Sequence, residues 1–287
     1  MARPPRLEAD RCARSWRTAP CYECYDGCPV EGALDLRPLP RFNAPCVACG
    51  ACAAACPTGA LDWRPSWPGG QPPTVVACAR ADAGSTARVP CLSALGLEEL
   101  ANLVRVRGSV TVVRGTCEGC DLAGSLGVWR RNRDRLRAVL VALGEPESRL
   151  IERSGPVSAG PATDRGVNLG RRGFLFNLWT PPTNGSGTAL KQLAERHPGA
   201  RRDSPGEWFV PSLLQGCDGC GRCVTACPTG ALERKGSAFV VDPLLCRPEC
   251  RLCAEVCPRR CLEVTAAGRR PEPVTLDVPS PVAGAVA

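Results

Sequence analysis

A chain of 287 residues has room for two or three domains, and its 21 cysteines against a single histidine are its dominant compositional fact. The formal charge of +8 rests almost wholly on arginine, with Lys191 and Lys235 the only lysines. No nucleic-acid recognition motif accompanies it, so nucleic-acid binding is not expected. No run of about eighteen apolar residues exists, which argues against a bilayer-spanning helix.

The opening MARPPRLEAD has neither the apolar core nor the cleavage motif of a secretory leader. Most cysteines stand in C-x-x-C runs, many followed by proline. That is metal-ligand spacing, so reduced thiolates in a cytoplasm-like compartment are expected rather than a disulfide scaffold.

One pattern recurs along the chain: three cysteines, a fourth followed by proline, then a small residue and leucine. The first copy begins at Cys12, crosses a long gap, and resumes at Cys21, Cys24 and Cys28-Pro29. The second runs Cys46, Cys49, Cys52 and Cys56-Pro57, closing in Ala60-Leu61. A different composition follows. Val75 and Val76 predict a strand ending at Cys78. Leu97, Leu100 and Val104 share a helical face that stops at Gly108. Ser109 to Arg114 reads as a second strand. Asp121 is placed to cap a helix whose Leu122, Leu126, Trp129, Leu136 and Leu140 share a face, ending at Gly144.

Residues 153–208 are rich in Gly, Pro, Ser and Arg and read as linker with short ordered pieces. The third copy runs Cys217, Cys220, Cys223 and Cys227-Pro228, closing in Ala231-Leu232. The fourth runs Cys246, Cys250, Cys253 and Cys257-Pro258, with one extra residue in its first gap. The last twenty residues read as a loose tail.

The expected fold class is α+β: two ferredoxin-like dicluster modules flanking a small α/β domain. The boundaries are 1–66, 67–155, a linker at 156–208, 209–266, and a tail at 267–287. Three cysteines in C-x-x-C-x-x-C wrap three corners of a cubane [4Fe–4S] cluster. The fourth is expected to start a helix pointing away, so it ligates the other cluster of the pair, its proline enforcing the turn. Zinc sites favour two distant pairs, often with histidine, and His197 lies far from every motif.

These motifs resemble the bacterial two-cluster ferredoxin family over about 45 residues at the start and about 50 at the end. The resemblance implies four [4Fe–4S] sites. Cys217, Cys220 and Cys223 would join Cys257, and Cys246, Cys250 and Cys253 would join Cys227. Cys46, Cys49 and Cys52 would join Cys28, and Cys12, Cys21 and Cys24 would join Cys56. Four such clusters carry about −8 together, enough to offset the formal charge. Trp16, in the long first gap, is a candidate cover for its cluster. Aligning CPTGAL with CPRRCL puts Cys261 opposite Ala60 and Ala231, where it is expected to pack against a helix; a substitute ligand is the alternative.

Cys78, Cys91, Cys117 and Cys120 remain. Cys78 and Cys117 each follow a predicted strand and are expected at one sheet edge, where ligands gather. RVPCLSAL, VTVVRGTCEGC and ALGEPESRLIER resemble the small iron–sulphur (delta) subunit of methanogen hydrogenases, which links hydrogenase to heterodisulfide reductase. The cysteine spacing is also similar to thioredoxin-like [2Fe–2S] ferredoxins. Both resemblances imply a [2Fe–2S] cluster. Zinc, or a redox disulfide at Cys117/Cys120, stays open beside it.

Arg171-Arg172-Gly173-Phe174-Leu175 is similar to a twin-arginine signal but is internal, and reads as a docking strip. There is no phosphate-binding glycine loop and no Ser/His/Asp or Cys/His arrangement, so no catalytic residue is assigned. The expected function is a multi-cluster electron carrier, the relay subunit of a larger oxidoreductase of hydrogenase, heterodisulfide reductase or formate dehydrogenase type. Its partners would be hydrogenase, flavoprotein or molybdopterin enzyme subunits. A second reading is an accessory or maturation factor for a molybdenum oxidoreductase, since the RR-F-L strip and CPTGAL motifs resemble the ferredoxin-like accessory proteins of nitrate reductase. A third is thiol–disulfide chemistry in the middle domain.

Overall fold

A computed structural model describes residues 3–16, 21–82, 87–154, 188–200, 203–227, 229–247 and 250–278. The RR-F-L strip and the side chain of Trp16 lie outside the described residues.

The first unit runs strand, helix, hairpin, helix, strand. Strand β1 (Arg6–Leu7) leads through Cys12 to helix α1 (Glu23–Asp26). A short antiparallel pair follows, β2 (Leu34–Asp35) with β3 (Arg41–Phe42), then helix α2 (Ala51–Ala55) and strand β4 (Leu61–Asp62). Strand β4 returns antiparallel to β1, pairing Leu7 with Leu61. The core between them is Leu34, Leu36, Ala60 and Leu61 together with the buried Cys12, Cys24, Cys52 and Cys56. With aromatics at 5% of the chain, thiols take much of the volume that larger side chains would fill.

Cys56 does not start a helix, as the sequence suggests. Helix α2 carries Cys52 and ends at residue 55, and Cys56 caps it in extended backbone with its amide bonded to the Ala53 carbonyl. A proline at position 57 disfavours helical backbone in the residue before it.

The middle unit is α/β. Strands β5 (Val75–Cys78), β6 (Arg88–Val89), β7 (Val110–Arg114) and β8 (Leu150–Ser154) form one parallel sheet in the order β6-β5-β7-β8. Helix α3 (Leu97–Arg107) stops at Gly108, whose φ is +76°. Helix α4 (Leu126–Ala142) starts after a 3-10 turn with Ser125, not Asp121, at its N-cap position, and the Ser125 hydroxyl donates back to the Leu122 carbonyl. Asp121 lies exposed, 3.8 Å from Arg80. Runs of Val and Leu fill the sheet because both its faces are covered. Val76, Val112, Val113, Leu100, Leu136 and Leu140 are buried there.

Within the stretch expected as linker, helix α5 (Thr188–Glu195) packs on α3 and buries Leu190 and Leu193. Glu98 caps it, its Oε2 accepting from the amides of Ala189 and Leu190 at 3.2 and 3.3 Å. Strand β9 (Pro205–Leu213) begins before residue 209 and buries Trp208 in the middle unit's core.

The last unit repeats the order of the first. After β9 come helix α6 (Arg222–Ala226), strands β10 (Leu232–Lys235) and β11 (Ala238–Val241), helix α7 (Leu252–Glu255) and strand β12 (Leu262–Arg269), which pairs back on β9. The expected tail is partly strand: β13 (Val274–Asp277) pairs with β11 and buries Leu276.

The three units pack against one another. Ala231, Leu244 and Leu245 of the last unit join the middle unit's apolar cluster. Asn132 of α4 donates to the carbonyls of Ala54 and Leu95, holding the first unit against the middle one. Burial of this kind contributes about 1.5–3 kcal/mol per large apolar side chain, so the interfaces are cohesive. A chain cut at a protease site introduced between residues 154 and 188 is therefore expected to elute as one particle on gel filtration.

Gly50 precedes α2 with φ +82°, and a Cβ there would stand 2.6 Å from the Trp63 ring. Gly221 holds the matching place before α6 with φ +74°. The Gly50→Ala variant is expected to lose about 2 kcal/mol or more in urea denaturation, from backbone strain and collision together.

Candidate metal centres

Each cysteine run places three thiols along a loop and the first turn of a short helix. In the first unit the fourth thiol of each run lines the cavity of the other copy. Cys12, Cys21 and Cys24 line one small cavity together with Cys56, so Cys12 reaches its neighbours despite the long gap. Arg14 ties that gap down by donating to the carbonyls of Pro38, Cys21 and Leu36. Cys46, Cys49 and Cys52 line a second cavity with Cys28. These are the Cys12 and Cys46 quartets.

In the last unit the thiols of Cys246, Cys250 and Cys253 each feel that of Cys227, forming the Cys246 quartet. Cys223 feels Cys217 and Cys220. Cys257 lies beside Cys261, Sγ to Sγ 3.4 Å, and Cys261 feels Cys217. This is the Cys217 quartet, with a fifth thiol against it. Cys261 is buried and leads into β12. Arg260 before it holds φ +50°, at the place Gly59 and Gly230 occupy in the other copies.

The middle cysteines also converge. Strands β5 and β7 are parallel neighbours, so their carboxyl ends lie side by side. Cys78, Cys91, Cys117 and Cys120 line one cavity there, the Cys78 quartet. The Gly115 amide donates to Cys78 Sγ at 3.1 Å, and a Cβ on Gly115 would stand 2.2 Å from the Arg80 carbonyl. Only glycine admits that approach. Cys91 Sγ lies 3.3 Å from Ser93 Oγ, which donates to the Ser125 carbonyl.

Sequence reasoning passed over these partners of sulphur. In the CPTGAL motif, Thr58 Oγ1 lies 3.5 Å from Cys56 Sγ, and the Ala60 amide donates to the same sulphur at 3.3 Å. Thr229 stands 3.8 Å from Cys227 Sγ. The repeated T-G-A after C-P was the available signal: it supplies a hydroxyl and a turn that aims an amide back at the sulphur. Hydrogen bonds to cluster sulphurs are a main determinant of reduction potential.

Among the described residues, no three or more His, Cys, Asp or Glu side chains gather as a site for a single metal ion requires. Three quartets of thiols, those of Cys12, Cys46 and Cys78, line cavities, an arrangement that fits a polynuclear cluster. A cleft lies where the units meet. Its wall carries six arginines and four glutamates among small and apolar residues, and Cys56 is the one thiol on it.

Burial pushes the thiol of Cys21 up to about 11 and those of Cys24 and Cys246 up to about 12, with neighbouring thiols adding to each rise. The metal-free fold therefore keeps protons that an unfolded thiol, near 9.0, gives up. Stability from this source is complete below pH 9 and is lost as pH climbs through 11 to 12. The urea midpoint of the metal-free chain under reductant is expected to fall over that window, and Cys24→Ser to flatten part of the fall.

Clustered thiols in a fold of mixed helix and sheet point to an iron–sulphur protein of the electron-transfer class. Residues 216–261 match the model of the 4Fe–4S dicluster domain. The chain belongs to the ferredoxin family. It is 43% identical over 47 residues to a ferredoxin-like protein in the nif region of Sinorhizobium fredii (strain NBRC 101917 / NGR234), a match covering 15% of this chain and 73% of that relative. It is 44% identical over 48 residues to the corresponding protein of Rhizobium leguminosarum bv. trifolii, with the same coverage. No solved structure matches. No helix among the described residues is long and apolar enough to cross a membrane.

Proposed function

We propose that the chain is a multi-cluster electron relay within a larger oxidoreductase, with a [4Fe–4S] cluster on each of the Cys12, Cys46, Cys217 and Cys246 quartets. The observation that carries this reading is the crossed placement of the fourth thiols. Cys56 lines the cavity of Cys12, Cys21 and Cys24, and Cys28 that of Cys46, Cys49 and Cys52. A crossed pair brings two clusters close together, which suits stepwise transfer of single electrons.

When bound, each cluster accepts and releases one electron without any protein bond forming or breaking. The residues hold the thiolates, exclude water from the buried sulphurs, and set the potential through donors such as the Ala60 amide. No acid–base pair is needed, in keeping with an electron carrier rather than a catalyst.

The Cys78 quartet extends the relay as a further [2Fe–2S] centre. Its support is the convergence of four thiols at the carboxyl end of a parallel sheet, with an amide donor already aimed at Cys78. The partners would be redox proteins of the hydrogenase, flavoprotein or molybdopterin type.

Anaerobically purified protein is expected to carry about sixteen to eighteen irons per chain, with reduced [4Fe–4S] signals in electron paramagnetic resonance. Iron far below that range overturns the relay. The Cys117→Ser variant is expected to lose a [2Fe–2S] signal and about two irons while the [4Fe–4S] signals persist.

A further inference from the structure

The two cysteine-rich halves meet at their thiols. Ala13 of the first unit is buried against Leu252 and Val256 of the last, and Cys21 and Cys250 pack on the same apolar cluster. Beside it stands Arg247, the residue after Cys246. Its Nη1 donates to the carbonyls of Cys56 at 2.9 Å and Pro57 at 3.1 Å, and its Nη2 lies 3.9 Å from Glu98. From the middle unit, Arg135 donates to the Cys246 carbonyl at 2.8 Å and stacks over Trp208. The Cys246 and Cys12 quartets therefore abut across the junction of the halves, with a guanidinium fixed between their backbones.

Contacts continue on both sides. In the last unit, Cys217, Cys223, Cys227, Cys253 and Cys257 pack in one apolar cluster, joining the Cys217 and Cys246 quartets. In the first, Cys12, Cys24, Cys52 and Cys56 share one core, joining the Cys12 and Cys46 quartets. Helix α2 packs on the turn at Leu92–Ala94, and Cys49 feels the thiol of Cys91, joining the Cys46 and Cys78 quartets. Exposure differs along this series. Cys220 is exposed and Cys117 and Cys120 are half-covered; in the two quartets of the first unit Cys12, Cys24, Cys49, Cys52 and Cys56 are buried and Cys21, Cys28 and Cys46 half-covered.

We propose that the chain is one continuous conductor in a fixed order, from the Cys217 quartet through the Cys246, Cys12 and Cys46 quartets to the Cys78 quartet, with Arg247 as the positioning residue at the junction. The ends are the Cys217 quartet, whose Cys220 is exposed, and the Cys78 quartet, whose Cys117 and Cys120 are half-covered. This rests on the reading that each quartet holds a cluster. One electron enters from a donor protein at one end, passes from each reduced centre to its oxidised neighbour, and leaves to an acceptor protein at the other.

The test uses the full iron-loaded chain and reads magnetic coupling between reduced clusters. Cys21→Ser removes a thiol of the Cys12 quartet. It is expected to narrow the signals of the C-terminal clusters, because the Cys246 centre loses a neighbour. Cys49→Ser, in the Cys46 quartet, is expected to leave those signals as broad as in the parent protein. Equal signals in parent and Cys21→Ser, with iron lost from that one site, overturn the junction.

Arg247→Ala keeps every thiol and decides the matter where Cys21→Ser does not fold. Removing that cation is expected to lower the reduction potential of two centres, one in each half. A shift in one centre or none overturns the proposal. Iron analysis of the parent separates the two levels: a full complement without coupling across the halves defeats the order alone, while absence of the clusters defeats the relay itself.

Discussion

In the first unit each cysteine run closes its cavity with the fourth thiol of the other run. Cys28 leaves the first copy to meet Cys46, Cys49 and Cys52, and Cys56 leaves the second to meet Cys12, Cys21 and Cys24. The exchange draws α1 against α2, and so closely that a Cβ on Gly27 would stand 2.9 Å from that of Ala55. Strand β4 must then return along β1, because both ends of the unit are fixed by the crossing. The unit needs little further apolar core, since the thiols supply it. The consequence is electrostatic. Thiols buried this deeply hold their protons, and loading a metal must displace them, so folding, proton release and metal binding are coupled.

The middle unit does more than separate two modules. Its parallel sheet and α4 carry an apolar surface that the last unit completes with Leu244, Leu245 and Trp208. Charged side chains stitch the same surfaces. Arg135, only 6% exposed, lies on Trp208 and reaches the Cys246 carbonyl. Arg247 reaches the carbonyls of Cys56 and Pro57. An arginine suits these places because its planar head keeps its charge when buried and can serve several carbonyls at once. The abundance of arginine is thus partly structural, and its charge stands next to sites that gather negative charge when clusters are bound.

Much of the local plan was legible in the chain. The C-x-x-C runs, the strands ending near Cys78 and Arg114, and the stop of α3 at Gly108 follow from spacing, β-branched runs and glycine. Local signals misled where they competed. Asp121 has the chemistry of a cap, but Ser125 lies nearer the true start of α4. The Gly, Pro and Arg of the presumed linker hid α5, whose helix is fixed by Glu98 ninety residues earlier in the chain. The tail's β13 exists because β11 offers it an edge, a partnership that no short window contains.

By itself the sequence marked the four cysteine repeats and, at 216–261, the 4Fe–4S class to which they point, because ligand spacing is a local property of the chain. It also placed Cys78 and Cys117 at one sheet edge, since parallel strands bring like ends together. Tertiary structure alone decided that Cys12 closes its quartet across eight intervening residues, tied down by Arg14. It decided that Cys261 stands against Cys257, that amides of Gly115 and Ala60 aim at sulphur, and that the two halves touch through Cys21, Cys250 and Arg247. These are contacts between distant segments, fixed by packing and by the need of buried polar groups for partners, and spacing along the chain does not encode them.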